Sequence, residues 1–376
     1  MNKWLKYLLI WVAIGFFSVP AIPERGWGAD PIKLGVAGVH SGELASYGIP
    51  ALRGVELAVR DINFRGGVLG RLVKLYVEDD LCKPKEAPLI ASKLVGKGVH
   101  AVIGHTCSGA TKAALDIYRA ANILVISPSA THPDLTKGGM YPNFFRTIAS
   151  DDAQAKVQVD FALGVLKVRK IAILHDKGVY GKGLAEFVKT LLENSGKADV
   201  VLYQGIRPAS TNFSALVQKI KGVGAQAVIY GGYHPGASKI VREMWIRKMD
   251  AAFISGDGIK DERFIAVAGK HAEGVYATAP KDPIDIPMAM AVTRAYIEEF
   301  ESEPGAFSLN AYAAVLALAH AMETAGSTDY AAVSTALKTE AVETPIGTIR
   351  FDERGDAIGV GFSIFRVDNG VFVNTK

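Results

Sequence analysis

The feature that most constrains the fold is a regular alternation of short β-branched segments with longer amphipathic ones. Residues 32–36 have the composition of a strand, and residues 48–63 place their apolar side chains on one helical face. The same order of strand and helix recurs as far as a strand at 124–126. This rhythm predicts an α/β fold with a parallel sheet and helices on both of its faces.

The pattern pauses over residues 131–150, a connection that contains prolines and glycines, and it then restarts. A chain of 376 residues is long enough for two domains or one large one. The second series of strands is predicted at 170–174, 199–203, 227–230 and 253–255. The sequence therefore predicts two similar doubly wound α/β units in tandem.

The last quarter of the chain contains too few elements to form a third core. Three helices are predicted there, followed by strands at 348–352 and 364–367 that a turn at 353–356 would join into a hairpin. We expect these elements to return to the earlier units and to constrain their relative motion. The predicted division is a first lobe of residues 30–150 and 281–362, and a second lobe of residues 151–280 and 363–376.

Residues 1–29 have the layout of a secretory signal peptide. A short basic start is followed by an uncharged apolar run over residues 7–19 and by a more polar stretch that ends at Ala29. That run is shorter than the roughly 20 residues that span a bilayer. We expect cleavage after Ala29, with Ala21 as a competing position, and a mature protein located in an oxidising compartment.

Composition and motifs argue against several other classes of function. The net charge of +4 is small and no basic stripe with aromatics is present, so nucleic acid is not expected as a partner. The two cysteines lack zinc-type spacing, and neither a metal nor a cofactor is expected. Residues 35–42, which follow the first strand, lack the Gly-x-Gly-x-x-Gly spacing of a dinucleotide-dependent enzyme. The sequence therefore does not predict an enzyme.

Eight short phrases in the mature chain carry a resemblance to a known family. They are Ser41-Gly42 with Tyr47-Gly48; Ala58-x-x-Asp61-Ile62-Asn63-x-x-Gly66-Gly67; Asp79-Asp80-x-Cys82-x-Pro84; Gly104-His105-Thr106-Cys107-Ser108; Ser127-Pro128-Ser129-Ala130-Thr131; His175-Asp176-Lys177-x-x-Tyr180-Gly181-x-Gly183; Tyr230-Gly231-Gly232-Tyr233-His234-Pro235; and Gly305-Ala306-Phe307. With these phrases in this order, residues 30–376 resemble the periplasmic leucine/isoleucine/valine-binding proteins, the type I solute-binding proteins of ATP-driven importers.

The resemblance implies two α/β lobes joined by a three-strand hinge, with a ligand held in the cleft between them. It implies no catalysis, a monomer, and delivery of the ligand to the membrane permease of an ABC transporter. The expected ligand is a small aliphatic L-amino acid: leucine, isoleucine or valine first, with alanine, threonine and proline left open. The alternatives are the same fold binding an amide, urea or an aromatic acid, or a sensory ligand-binding module.

The same resemblance assigns the polar ligand contacts. Ser108 and Thr131 would bind the ligand carboxylate, because Ser108 opens a predicted helix whose first N–H groups favour anions. A role for Ser108 as an N-cap alone is the alternative. The ligand ammonium would be bound by Thr131, by the carbonyl of Ser129 and by Asp257. The family usually has glutamate at the position of Asp257, which otherwise would be a turn aspartate before glycine.

The side chains that the resemblance assigns to the pocket walls are mostly aromatic. Two of these residues, Tyr180 and Tyr233, have glycines beside them in the sequence, which predicts that they lie at exposed loop tips. The implied wall residues are Tyr47, Thr106, Cys107, Tyr180, Tyr233 and Phe307. An apolar residue is more usual at Thr106, and its hydroxyl favours a smaller or slightly polar ligand side chain. Cys82 and Cys107 are expected to form a disulfide in an exported protein, which would stabilise the fold by roughly 3 kcal/mol.

Overall fold

The structure is a computed structural model that describes residues 30–375. The predicted signal peptide, residues 1–29, lies outside the described residues. Among the helices of residues 30–375, none has the length and apolar character needed to cross a bilayer. The described chain forms two lobes, each built on a sheet of its own, and a third, small sheet.

The first lobe is built on a five-stranded sheet in which all neighbouring strands are parallel. Its strands are β1 (Ile32–Gly38), β2 (Val73–Asp79), β3 (Ala101–Gly104), β4 (Leu124–Ser127) and β5 (Phe144–Arg146). They are arranged in the order β2-β1-β3-β4-β5. Strand β5 corrects the prediction that residues 131–150 are only a connection. It has three residues, and all of them are buried.

The second lobe is built on a seven-stranded sheet. Its first five strands are β6 (Lys170–His175), β7 (Asp199–Gly205), β8 (Ala227–Gly231), β9 (Ala252–Ser255) and β10 (Tyr276–Pro280), and its last two are β14 (Phe362–Asp368) and β15 (Val371–Asn374). The spatial order is β15-β14-β10-β9-β8-β6-β7. The strands from β6 to β10 are parallel. At one edge, β14 pairs antiparallel with β10, and β15 pairs antiparallel with β14.

Helices cover both faces of each sheet, as the alternation of strand and helix predicts. The first lobe has α1 (Ala45–Phe64), α2 (Ala87–Gly96), α3 (Ser108–Ala120), α9 (Pro287–Phe300), α10 (Ser308–Ala325) and α11 (Tyr330–Thr339); the second has α4 (Asp151–Asp160), α5 (Val179–Ser195), α6 (Ser214–Gly222), α7 (His234–Ile246) and α8 (Glu262–Ala268). In β3, Ile103 packs on the α1 and α10 side, whereas Val102 packs on the α2 and α3 side. This alternation follows from the two-residue period of a strand, and it gives each lobe two apolar layers.

The predicted hairpin between residues 348–352 and 364–367 is wrong. The third sheet consists of β11 (Val342–Thr344), β12 (Gly347–Phe351) and β13 (Ala357–Ile358), so β12 pairs within the first lobe. Strand β14 instead pairs with β10 of the second lobe. Its residues Phe362, Ile364, Phe365 and Val367 are buried on both faces, and such a strand needs a sheet that is covered on both sides.

The last quarter of the chain does return to the two earlier units, as expected. Helices α9, α10 and α11 join the core of the first lobe, and β14 and β15 join the second sheet. Three segments therefore pass between the lobes: 147–150, 281–286 and 359–361. Loops that follow parallel strands of the two sheets face each other across the cleft, where ligands commonly bind in α/β folds.

Candidate ligand-binding site

A pocket, here called the interlobe pocket, lies between the two lobes. Its lining comes from both sides of the cleft. The first lobe contributes Tyr47, Thr106, Cys107, Ser108, Ser129 and Phe307, and the second contributes Tyr180, Tyr233, Asp257 and Gly258. The structure thus brings together all but one of the residues that the resemblance assigned. Thr131 is fully buried and is not part of the lining.

Ser108 is the first residue of α3, and the N-cap position is occupied by Cys107. The side chain of Ser108 is therefore not the helix cap, and its Oγ accepts a hydrogen bond of 3.3 Å from the backbone N–H of His132. Since the oxygen accepts this bond, the hydroxyl proton can be donated into the pocket. The first backbone N–H groups of a helix lack partners within the helix, so this end of the pocket suits an anion.

Asp257 follows β9 and faces the same pocket from the second lobe. Its side chain is buried, and its Oδ1 accepts hydrogen bonds from Tyr180 Oη at 2.7 Å and from Gln154 Nε2 at 2.9 Å. Burial raises the pKa of Asp257, and the hydrogen bonds from Tyr180 and Gln154 partly offset this. A buried carboxylate is stabilised by a cation, so this side of the pocket suits a positive group.

Asp151, a second buried carboxyl near the pocket, was missed by the sequence analysis. It opens α4, and its backbone N–H donates to the carbonyl of Thr131 at 3.0 Å. Burial raises the pKa of Asp151 well above its ordinary value, and the charge of Asp257 raises it further, while the Thr131 hydroxyl partly offsets the shift. Within residues 30–375, neither its carboxylate oxygens nor Thr131 Oγ1 makes a hydrogen bond of normal geometry. In the sequence, Asp151 has only the appearance of a helix-start residue.

The aromatic side chains link the two lobes beside the pocket. Tyr47 Oη donates to the carbonyl of Gly258 at 2.6 Å, and the ring of Tyr47 lies 5.8 Å from that of Tyr233 and 6.4 Å from that of Phe307. The ring of Tyr233 in turn lies 5.2 Å from that of Tyr180. These side chains form a continuous apolar wall with hydroxyl groups at its edge.

The prediction that Tyr180 and Tyr233 occupy exposed loop tips is wrong. Tyr180 is 4% exposed in the first turn of α5, and Tyr233 directly precedes α7. The glycines beside them serve close packing instead. A Cβ on Gly231 would clash with the backbone carbonyl of Gly181, so two backbone segments meet where a side chain would not fit.

The predicted disulfide between Cys82 and Cys107 is present, with the two Cα atoms 5.4 Å apart. It ties the loop after β2 to the residue that caps α3, and therefore supports the backbone next to Ser108.

Ser129 Oγ donates to the carbonyl of Thr106 at 2.8 Å, which joins the loops after β3 and β4. In the part of the chain that the structure describes, no group of three or more His, Cys, Asp or Glu side chains is placed to hold a metal ion.

Comparison with known proteins gives consistent matches along nearly the whole described chain. The model of the periplasmic binding protein family matches residues 31–371. The chain is 38% identical to the leucine-, isoleucine-, valine-, threonine- and alanine-binding protein of Pseudomonas aeruginosa, with 93% of each chain covered. It is 37% identical to the Leu/Ile/Val-binding protein of Escherichia coli, over 90% of this chain and 91% of that protein.

The solved structures agree with the sequence relatives. The branched-chain amino acid transporter substrate-binding protein of Streptococcus pneumoniae, crystallised with isoleucine, has a TM-score of 0.82 and 28% identity. That alignment covers 92% of this chain and all of the other. All three relatives are binding proteins. From the family match and the long alignments above 30% identity, we conclude that this chain belongs to the periplasmic binding protein family.

Proposed function

We propose that this protein binds a small aliphatic L-amino acid in the interlobe pocket and delivers it to the permease of an ABC importer. The observation that carries the proposal is that Asp257 and Ser108 face one pocket from opposite lobes. A free amino acid has a carboxylate and an ammonium on the same carbon. A pocket with helix N–H groups on one side and a buried carboxylate on the other is complementary to both charges.

In this proposal, Ser108 and Thr131 bind the ligand carboxylate, which requires the Thr131 hydroxyl, outside the lining of the pocket, to turn toward it. Asp257, the carbonyl of Ser129 and Thr131 bind the ammonium. Asp151 lies next to Thr131, and a bound ammonium would lessen the repulsion between its charge and that of Asp257. An aromatic acid without an amino group would bring a further negative charge to a region in which burial already disfavours the charged form of both carboxyls. The two buried carboxyls therefore favour a zwitterion.

The aromatic wall leaves an apolar environment for the ligand side chain, and this favours leucine, isoleucine or valine. Thr106 adds a hydroxyl at the pocket and keeps alanine, threonine and proline as candidates. The name of the Pseudomonas aeruginosa relative includes threonine and alanine beside the branched-chain amino acids. Titration of the wild type with each of these amino acids measures the selectivity within this set.

The lobes of the proposed clamp are residues 30–150 with 281–362, and residues 151–280 with 363–376. The passages 147–150 and 281–286 support the first two limits, whereas the third passage, 359–361, ends before β14, so that Phe362 belongs to the second sheet. Rotation about the three passages would open the cleft. Residues 1–29 would direct export to the periplasm and be removed. The mass of the exported protein distinguishes cleavage after Ala29 from cleavage after Ala21.

The test is titration calorimetry of the wild type and Asp257→Asn with valine and with isovalerate, which is valine without its ammonium. We expect the wild type to bind valine and not isovalerate. We expect Asp257→Asn to bind valine about 100-fold more weakly, since removing one partner of a buried charge pair costs about 2–5 kcal/mol. Asp250→Asn, an exposed aspartate of the same lobe, serves as the matched control. Unchanged valine affinity in Asp257→Asn would show that the ammonium is recognised elsewhere.

A further inference from the structure

His132 of the first lobe lies against Gly183 of the second, outside the lining of the interlobe pocket. His132 follows β4, and Gly183 is the fifth residue of α5. A Cβ added to Gly183 would lie 2.5 Å from both Cδ2 and Nε2 of the imidazole. The ring therefore occupies the space that any larger residue at position 183 would need.

The imidazole is held in place by its own neighbours. Its Nδ1 accepts a hydrogen bond of 3.2 Å from the backbone N–H of Asp134. The carbonyl of His132 accepts one of 3.0 Å from Nη1 of Arg146, a fully buried guanidinium whose Nε donates to Asp356 at 2.6 Å. A rotation of the ring away from Gly183 would break the bond to Asp134.

The backbone of His132 also contacts the ligand-binding machinery. Its N–H donates to Ser108 Oγ at 3.3 Å, which leaves the Ser108 hydroxyl proton free to point into the pocket. One residue thus contacts helix α5 of the second lobe through its side chain and Ser108 of the first lobe through its main chain.

We propose that His132 is a positioning residue, and that its contact with Gly183 lets the lobes close far enough for Ser108 to bind the ligand carboxylate. This inference rests on the proposed amino-acid binding. It predicts that position 183 controls ligand affinity although Gly183 does not line the pocket. Forcing a methyl group into a filled contact typically has an unfavourable effect, and separation of the lobes would relieve it.

The experiment compares the valine affinity and the ligand-free unfolding midpoint of the wild type, Gly183→Ala, His132→Ala and the double variant. We expect Gly183→Ala to bind about tenfold more weakly, equivalent to about 1.4 kcal/mol. Its unfolding midpoint should not fall, since alanine is the better helix former at an interior position. A loss of affinity without a loss of stability separates a positioning role from a merely structural one.

The double variant identifies the contact that is responsible. Once His132→Ala has removed the ring, Gly183→Ala should have no further effect on affinity, because the added methyl group has room. Gly222→Ala, in α6 of the same lobe, is the matched control, since a Cβ there has no neighbour within 4 Å.

Two results would overturn the inference while the wild type still binds valine. One is a Gly183→Ala variant with wild-type affinity. The other is a loss of valine affinity from Gly183→Ala that is equally large in the wild type and in the His132→Ala background. If the wild type binds no amino acid, the proposed function fails as well, and the inference falls with it.

Discussion

Reduction of the Cys82–Cys107 disulfide should destabilise the protein by an amount that can be estimated from the chain length it encloses. The bond joins residues that are 25 positions apart. For a loop of this size, the chain-entropy relation gives about 3.5 kcal/mol at 25 °C. Both sulfur atoms remain after reduction, so the apolar packing around Cys107 is nearly unchanged and the difference reports the covalent link.

The assay is thermal unfolding of the same preparation with and without a reducing agent. If the whole chain unfolds in one transition, about 3.5 kcal/mol lowers the midpoint by about 5 °C. If the first lobe unfolds alone, the same free energy lowers its midpoint by about 8 °C, because fewer residues share the transition. Thiol titration in denaturant is the control, with none before reduction and two after it.

Reduction of the disulfide should also affect ligand binding. The bond lies in the first lobe, next to the start of α3, so valine binding should weaken together with stability. Midpoints of the oxidised and reduced protein that agree within about 1 °C would refute the loop-entropy estimate. Two free thiols in the unreduced protein would refute the bond itself.

Two further substitutions test other parts of the structure. Tyr47→Phe removes the hydrogen bond to the Gly258 carbonyl across the cleft, and calorimetry should show about two- to tenfold weaker valine binding. Asp176→Asn tests a carboxyl whose pKa burial raises to about 6. Because that value exceeds the usual 3.8, the charged form destabilises the fold at neutral pH. Asp176→Asn should therefore be more stable than the wild type in urea at pH 7, and the difference should vanish near pH 4.

The fold was predictable from sequence wherever the period of the apolar residues was long and regular. Helix α1 was predicted over residues 48–63 and extends over Ala45–Phe64. The four strands predicted for the second unit lie within two residues of their observed limits. Strand β5 was missed because three residues are too short to show a period. The hairpin was predicted wrongly because local pattern does not reveal that β14 pairs with β10, more than 80 positions earlier in the chain.

The residues of the candidate site could be predicted only in part from the sequence. The resemblance to a known family supplied Ser108, Asp257 and the aromatic wall, and the structure places these around one pocket. Gln154, the amide that donates to Asp257, was not predicted, because the two residues are 103 positions apart. Asp151 and His132 were missed for the same physical reason: their neighbours belong to distant segments that only the folded chain brings together.

Residues that join the two lobes should affect ligand binding differently from residues that line the pocket. Tyr47 with Gly258, His234 Nε2 with the Glu43 carbonyl at 3.1 Å, and His132 with Gly183 all join the lobes. If the closed clamp is the binding form, such contacts set the fraction of closed protein, and the apparent dissociation constant scales inversely with that fraction.

A substitution that changes only lobe closure therefore lowers the affinity for every ligand by the same factor. A substitution of a pocket residue such as Thr106 changes the ratio between ligands, because it alters contacts that valine and alanine make differently. The ratio of valine to alanine affinity should thus stay constant in Gly183→Ala. A change of that ratio in Gly183→Ala would mean that α5 shapes the pocket itself and does not act through closure.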